Sequence, residues 1–323
     1  MYQELLNLDP VKINFSAQGM TIINFVLAFV MFGVALGIKP VMFKRVFTSP
    51  KPVLVGVFSQ LIALPLVTFL LVVIFNQWIT PMVAMGMILV ASCPGGNISN
   101  FMTQLSKGNT ELSVSLSAIS TSVSPIMTPT NFSVWGGLYV RYLNKHGADA
   151  LQTLHIDVLD VFVTVFILLG IPLALGMLTT HFLPKFAAKL KKPMQYFSIL
   201  FFIAMVVLSF SNNLDLFLKY IWYVFFIVLI HNALALATGF NLASAFKLNR
   251  KDRRTLTIET GIQNSGLGLV LLFNPKIFPP DLMNGGMLFV TAWWGIWHII
   301  SGLTITFFFS RADKRLVKRY KEQ

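Results

Sequence analysis

Long apolar runs alternate with short polar loops along the whole chain. Nine of these runs approach or exceed the ~20 residues that an α-helix needs to cross a bilayer. They fall at about 20–38, 52–75, 79–106, 110–140, 158–181, 194–211, 218–245, 256–273 and 282–309. Two are interrupted. The third contains Ser92-Cys93-Pro94-Gly95-Gly96-Asn97-Ile98-Ser99-Asn100, and the eighth contains Glu259-Thr260-Gly261-Ile262-Gln263-Asn264-Ser265-Gly266. Glycine and proline in mid-span free backbone N–H and C=O groups. In lipid such backbone persists only where it is buried in protein or lines a polar cavity. A carboxylate there costs roughly 2.5–3.5 kcal/mol and marks an ion or substrate path. Either break alone also reads as a kink or a small-residue packing seam. Two breaks, each flanked by amides, are expected to meet and form one site.

The halves of the chain resemble each other in pattern. Runs one to four and six to nine each present an apolar helix, a helix with a mid-membrane amide (Gln60; His231-Asn232), a broken helix and a helix with polar residues inside. The offset between them is five, an odd number, so the second copy enters the membrane inverted. Inverted repeats with broken helices are a transporter signature, with sites near the bilayer midplane. The expected fold class is therefore an all-α polytopic membrane protein of nine transmembrane helices, with inverted repeats and two discontinuous crossing helices.

Charge sharpens the topology. Of the 25 Lys and Arg, twenty fall in one alternating set of loops, and Lys12, Arg141, Lys145, Lys219 and Lys276 fall on the other side. The positive-inside bias then places the N-terminus outside and the C-terminus in the cytoplasm of the inner (cytoplasmic) membrane. The 25 bases against 12 acids do not imply nucleic acid, because the bases sit in short inter-span loops and in a tail suited to anionic lipid. With 55% hydrophobic and 11% charged residues and a mean hydropathy of +0.73, the chain lies far from soluble composition. One cysteine excludes an intrachain disulfide, and residues 1–19 lack the basic start of a signal peptide, so no cleavage is expected.

Glu259 fits three roles: a protonated, hydrogen-bonded acid, a proton carrier, or a cation ligand. Its neighbours supply carboxylate, carbonyl, hydroxyl and amide oxygens, the ligands of hard cations. Ser113, Ser117, Ser120 and Ser124 share one helix face at i, i+4, i+7 and i+11. Ser120 and Ser124 read as back-bonding to their own helix, whereas Ser113 and Ser117 follow the first break closely. His231 reads as a satisfied buried histidine. His298, beside Trp293, Trp294 and Trp297, reads equally as a buried group or as a cavity wall. No nucleophile–base pair or transition-metal spacing is visible.

On these residues the chain resembles the bile acid/sodium symporter family over about residues 20–310. The resemblance rests on Cys93 to Asn100, Lys107-Gly108-Asn109, Leu112-Ser113-Val114-Ser115, Thr257 to Gly266, and Trp297-His298-Ile299-Ile300-Ser301-Gly302. It implies a nine-span variant with core and panel domains. Residues 1–19 would be an extracytoplasmic segment, 20–51 the first panel helix and its loop, and 52–140 three core helices. Residues 141–217 would hold a loop and two panel helices, 218–310 three further core helices, and 311–323 a basic cytoplasmic tail. One Na⁺ would be held by Ser99, Asn100, Ser113, Ser117 and Glu259. A second would use Gln60, Glu259 and Gln263 with the carbonyls of Thr260 and Ile262. Asn97, Asn264, Ser265 and His298 match positions near the substrate. Ser117 stands where many relatives have Thr, Ile299 where they often have Asn, and Asn97 where some bacterial members have Thr.

The implied function is a sodium-coupled secondary active symporter that takes up an organic anion by alternating access. The cargo is bile acid-like, steroid-like or a small carboxylate. The protein is expected not to be an enzyme. Its expected partners are two Na⁺, a small organic anion and the lipid bilayer, with no transition metal, nucleic acid or obligate protein partner. The alternatives are a proton-coupled transporter of the same fold, and an intramembrane enzyme or receptor.

Overall fold

The computed structural model describes residues 1–10, 17–146, 163–211, 214–274, 277–278 and 282–321. Lys12, His155, Lys276 and the start of the fifth apolar run lie outside the described residues. Within them the secondary structure is helical apart from one isolated bridge between Gly95 and Gln263. The helices are α1 (Tyr2–Leu5), α2 (Ala17–Ala35), α3 (Lys44–Thr48), α4 (Pro50–Phe58), α5 (Leu64–Ile74), α6 (Pro81–Ser92), α7 (Ile98–Leu105) and α8 (Thr110–Lys145). They continue as α9 (Ile171–Phe182), α10 (Pro184–Ser211), α11 (Leu214–Ala245), α12 (Arg250–Gly261), α13 (Ser265–Leu272) and α14 (Gly285–Lys321).

Among the described residues four helical stretches are long and apolar enough to cross a membrane: Pro50–Ile74, Val163–Phe182, Leu218–Ala245 and Gly285–Arg311. The two interrupted runs are absent from that group because each is cut into pieces. α6 and α12 have 12 residues each, and α7 and α13 have 8 each. Both breaks thus divide their run in the same proportion. Asparagine side chains start three of the helices that bear on the site. Asn109, Asn249 and Asn264 accept hydrogen bonds from the backbone N–H groups of Leu112, Asp252 and Leu267. Lys107 and Lys247 take left-handed backbone angles, φ 57° and 53°, which close α7 and α11. In each closure the next residue's N–H reaches back five residues, Gly108 to Thr103 O and Leu248 to Ala243 O, both at 2.9 Å.

Between α4 and α5 the helix widens into a π turn, Ser59–Ala63, which carries Gln60. Pro65 has no N–H for the carbonyl of Leu61, four residues earlier. Asn131 of α8 donates to that carbonyl at 2.9 Å and so ties the irregular turn to a neighbouring helix. Ser124 Oγ does the same for Thr121 O, the carbonyl left over by Pro125, at 2.8 Å. The irregular backbone is buried and hydrogen-bonded, as a non-aqueous environment requires.

α6 packs along α14 and α11 along α12, while α2, α9 and α10 pack against one another. All twelve residues of α6 are buried. α11 and α12 come so close at Gly239 that a methyl group there would overlap the Leu256 carbonyl. The N-terminal segment also packs. Leu5 and Leu8 are fully buried in the main apolar cluster with Val83 and Phe278. Asp9 lies between the starts of α6 and α14: Thr80 Oγ1 donates to its carboxylate at 3.0 Å and Gly285 N–H to its carbonyl at 3.3 Å. Burial pushes the Asp9 carboxyl up to about 7, partly offset by the Thr80 hydrogen bond.

Candidate functional site

The two breaks meet back to back. Gly96 N–H donates to Ile262 O and Asn264 N–H donates to Pro94 O, both at 2.8 Å, and this pairs Gly95 with Gln263 in antiparallel sense. Four backbone groups that helix breakage would orphan therefore satisfy one another across the crossing. Gly95 packs closely here: a β-carbon would lie 3.0 Å from Gln60 Nε2 and 3.4 Å from Glu259 Oε2, so the Gln60 amide would have to move by a few tenths of an ångström.

Glu259 lies in the buried last turn of α12 with no exposed surface. Ser99 Oγ donates to its Oε1 at 2.5 Å, Ser113 Oγ donates to the same oxygen, and Ser117 Oγ reaches Oε2 at 3.2 Å. Gln60 Nε2 donates to both Glu259 O (2.9 Å) and Oε2 (3.2 Å). Asn100 Oδ1 lies 2.9 Å from Ser113 Oγ and 3.3 Å from Ser117 Oγ. Six oxygens from three helices thus converge: two of Glu259, three hydroxyls and one amide carbonyl. No sulfur or imidazole is among them, which is the donor set of a hard cation. Thr103, absent from the sequence-based set, closes the cluster through its hydroxyl, 3.2 Å from Ser113 Oγ. Its signal was position, one helical turn past Ser99 and Asn100.

Two buried amides, Gln60 and Gln263, are oriented by their nitrogens. Gln60 Nε2 is held by Glu259, and Gln263 Nε2 donates to Thr260 O at 2.9 Å. Gln60 Oε1 and Gln263 Oε1 are left buried with no donor. An unpaired buried acceptor costs about 1–3 kcal/mol, and an amide oxygen is a donor type that hard cations accept. The carbonyls of Thr260 and Ile262 each accept one hydrogen bond, from Gln263 and Gly96, which leaves each a second lone pair. Ser59 and Asn232 were not singled out as ligands. Ser59 Oγ shares a 2.7 Å hydrogen bond with Thr260 Oγ1, and Asn232 Nδ2 donates to Gly261 O at 2.7 Å. Asn232 was visible in the sequence as a mid-run amide, whereas Ser59 was hidden among ordinary small residues.

Ser120 and Ser124 turn to their own helix, donating to Ser117 O and Thr121 O. The four-serine face is thereby divided in two. Asn97 is exposed at the start of α7 and makes no capping hydrogen bond with its side chain. Asn264 caps α13, and Ser265 is buried beside it. His298 lies on α14 between Gly295 and Gly302, at helical spacings that share one face. A β-carbon at Gly295 would lie 3.0 Å from Ser265 Oγ, and one at Gly302 would lie 2.9 Å from the Ile262 side chain. His298 therefore sits on the face of α14 turned to the crossing, and its Nδ1 has no partner. His231 stands apart, its Nε2 hydrogen-bonded with Thr68 at 2.8 Å and its ring against Trp294. Among the described residues no three His, Cys, Asp or Glu side chains gather in a metal-binding group.

The profile described as the Sodium Bile acid symporter family matches residues 24–220, which include the first break. The "Uncharacterized sodium-dependent transporter YocS" of Bacillus subtilis (strain 168) is 30% identical over 91% of this chain and 84% of its own length. The "Sodium/bile acid cotransporter 5" of Rattus norvegicus is 26% identical over 82% of this chain. The "Probable sodium/metabolite cotransporter BASS2, chloroplastic" of Oryza sativa subsp. japonica is 25% identical over 80% of it. The chain spans 58% and 59% of the length of these last two relatives.

Proposed function

The chain belongs to the sodium bile acid symporter family, and from that footing we propose that it is a Na⁺-coupled symporter of an organic anion. The observation that carries this reading is the nest of oxygens around Glu259 at the paired breaks. Ser99, Asn100, Ser113, Ser117 and Glu259 hold one Na⁺. Gln60, Glu259, Gln263 and the carbonyls of Thr260 and Ile262 hold the other, using the two amide oxygens that lack donors. Glu259 is shared, so each cation offsets part of its buried charge.

The substrate's negative group faces the starts of α7 and α13, where the helix dipole favours an anion. The exposed amide of Asn97 flanks it, with Asn264, Ser265 and His298 on the opposite wall. Two Na⁺ with a monoanion move one net charge, which gains about 2.3 kcal/mol per 100 mV of membrane potential. The chain crosses the membrane nine times with its N-terminus outside, in two inverted repeats. The equal 12- and 8-residue division of both broken runs supports the repeat. Spans two to four and seven to nine form a core that rocks against a panel of spans one, five and six. The mutual packing of α2, α9 and α10 supports that division.

A thermal-shift screen of organic anions in Na⁺ and in K⁺ tests the coupling and the cargo together. A ligand that stabilises the protein only in Na⁺ is the expected result. Uptake that persists unchanged in Na⁺-free buffer would overturn it in favour of a proton carried by Glu259.

A further inference from the structure

α12 stops at Gly261, inside the protein and beside the paired breaks. Carbonyls at a helix C-terminus lack partners within the helix. Here three consecutive ones are each met by a side-chain amide from a different segment. Gln60 Nε2, from the π turn, donates to Glu259 O at 2.9 Å, and Gln263 Nε2, from the break, donates to Thr260 O at 2.9 Å. Asn232 Nδ2, from the middle of α11, donates to Gly261 O at 2.7 Å. All three amides are buried, and among the described residues the oxygen of each has no donor. Gln60 and Gln263 are cation ligands in the proposed function; Asn232 has no part in it. Asn232, Leu236, Gly239 and Ala243 stand at i, i+4, i+7 and i+11, on one face of α11. That face lies on α12: a β-carbon on Gly239 would overlap the Leu256 carbonyl, and one on Gly261 would overlap the Leu236 side chain. The contact ends at Asn232, which meets the last residue of α12.

We propose that Asn232 is a positioning residue for the second Na⁺, an inference that rests on the Na⁺ sites of the proposed function. Gly261 lies between Thr260 and Ile262, whose carbonyls bear on that ion. Glycine has the least restrained backbone of any residue, so free rotation of the peptide after Gly261 would move one carbonyl relative to the other. Instead this peptide is held at both edges. Asn232 grips its C=O, and its N–H, that of Ile262, donates to Ile258 O at 2.9 Å. Stability alone is a poor account of the amide. Its Oδ1 stays buried without a donor, and the cost of that orphan offsets what the capping bond returns. What remains is geometry: the bond fixes the backbone that presents two oxygens to a cation, as groups behind metal ligands generally do.

The test is thermal unfolding of the purified full chain titrated with Na⁺, with K⁺ holding the ionic strength constant. Asn232→Leu keeps the size of the side chain and removes its donor. It is expected to raise the Na⁺ concentration at half-maximal stabilisation about ten- to a hundred-fold, the usual loss when a group behind a metal ligand is removed. Its melting temperature in K⁺ should stay close to wild type, because the variant exchanges one unpaired acceptor, Oδ1, for another, the Gly261 carbonyl. Titration with Li⁺ is the readout that a purely structural role would not move: the ratio of half-maximal Na⁺ and Li⁺ concentrations should shift in the variant. Thr68→Val is the control. It breaks the hydrogen bond to His231, the neighbour of Asn232 in α11, and should leave both concentrations unchanged. An unchanged half-maximal Na⁺ concentration or an unchanged Na⁺/Li⁺ ratio in Asn232→Leu overturns the proposal. So does an equal rise in Thr68→Val, which would make the effect one of packing. Asn232→Ser, too short to reach Gly261 O, is judged by the same criteria if the leucine variant does not fold. A wild type that Na⁺ does not stabilise over K⁺ removes the ion sites themselves. A wild type that responds, with Asn232→Leu responding equally, removes only the role of Asn232.

Discussion

Replacing Glu259 by Gln removes one negative charge and almost no volume, so it isolates the electrostatic part of ion binding. The carboxylate is fully buried, and its Oε1 and Oε2 meet the hydroxyls of Ser99, Ser113 and Ser117. Taking the charge centres of Na⁺ and the carboxylate about 4 Å apart at an effective dielectric of about 20, the lost attraction is about 4 kcal/mol. That is about a thousand-fold in affinity. With Na⁺ at a hundred times the wild-type dissociation constant, wild type gains about 2.7 kcal/mol of stability from the ion. The variant gains less than about 0.1 kcal/mol by the same relation, too little to move a melting curve. Gln263→Ala provides the contrast. It removes one neutral carbonyl, for which about 1.4 kcal/mol and a tenfold loss are expected, leaving roughly half of the stabilisation. In K⁺ the Glu259→Gln protein should melt at or above the wild-type temperature, because an unpaired buried charge has been removed. The assay is thermal unfolding in Na⁺ and K⁺ at matched ionic strength. A Na⁺-induced shift in Glu259→Gln as large as in wild type would refute the assignment of Glu259 as ion ligand.

Three further outcomes follow from the geometry. Gly95→Ala places a methyl against Gln60 Nε2 and the Glu259 carboxylate, so it should weaken Na⁺ stabilisation about tenfold and cost about 1–3 kcal/mol of folding stability; Na⁺ titrations of the melting temperature read both. Asn131→Ala leaves the Leu61 carbonyl unpaired beside Pro65 and should cost about 1–3 kcal/mol, measured by chemical or thermal unfolding in Na⁺-free buffer. For Asp9 the docked carboxyl keeps its proton to about pH 7, whereas an undocked one releases it near its ordinary 3.8. Docking of residues 1–10 is therefore strongest at low pH, weakens as pH rises from about 4 to about 7, and is flat above. Asp9→Asn should abolish that slope and add on the order of 1–3 kcal/mol above pH 7. Hydrogen exchange of this segment between pH 5 and 8 reads it, and an unchanged slope in the variant would count against the buried carboxyl.

Membrane character was legible along the chain because partition into lipid is decided run by run, from the apolar length of each. The two breaks were legible for the same reason: Pro94-Gly95-Gly96 and Glu259 with Gly261 are locally expensive in lipid, and the expense is visible without a fold. The family, too, was readable from the residues at those breaks. What the sequence could not supply was partnership. Gln60 and Glu259 are separated by 199 positions, and only the folding of α12 against the π turn brings them to 2.9 Å. The four serines of α8 share one face by spacing, yet tertiary packing divides them. α12 and α7 supply acceptors to Ser113 and Ser117, through Glu259 and Asn100, while Ser120 and Ser124 bond back to their own helix. Asn131 and Asn232 acquired roles only when neighbouring helices offered unpaired carbonyls. In the segment 1–19, read from sequence as extracytoplasmic, Leu5 and Leu8 fold into the core, an outcome set by a surface that other helices build. By itself, then, the sequence determined which residues are costly in a membrane. The tertiary structure alone decided which oxygens share Glu259 and which stay without a donor, because hydrogen-bond pairing across helices depends on approach in space and not on order in the chain.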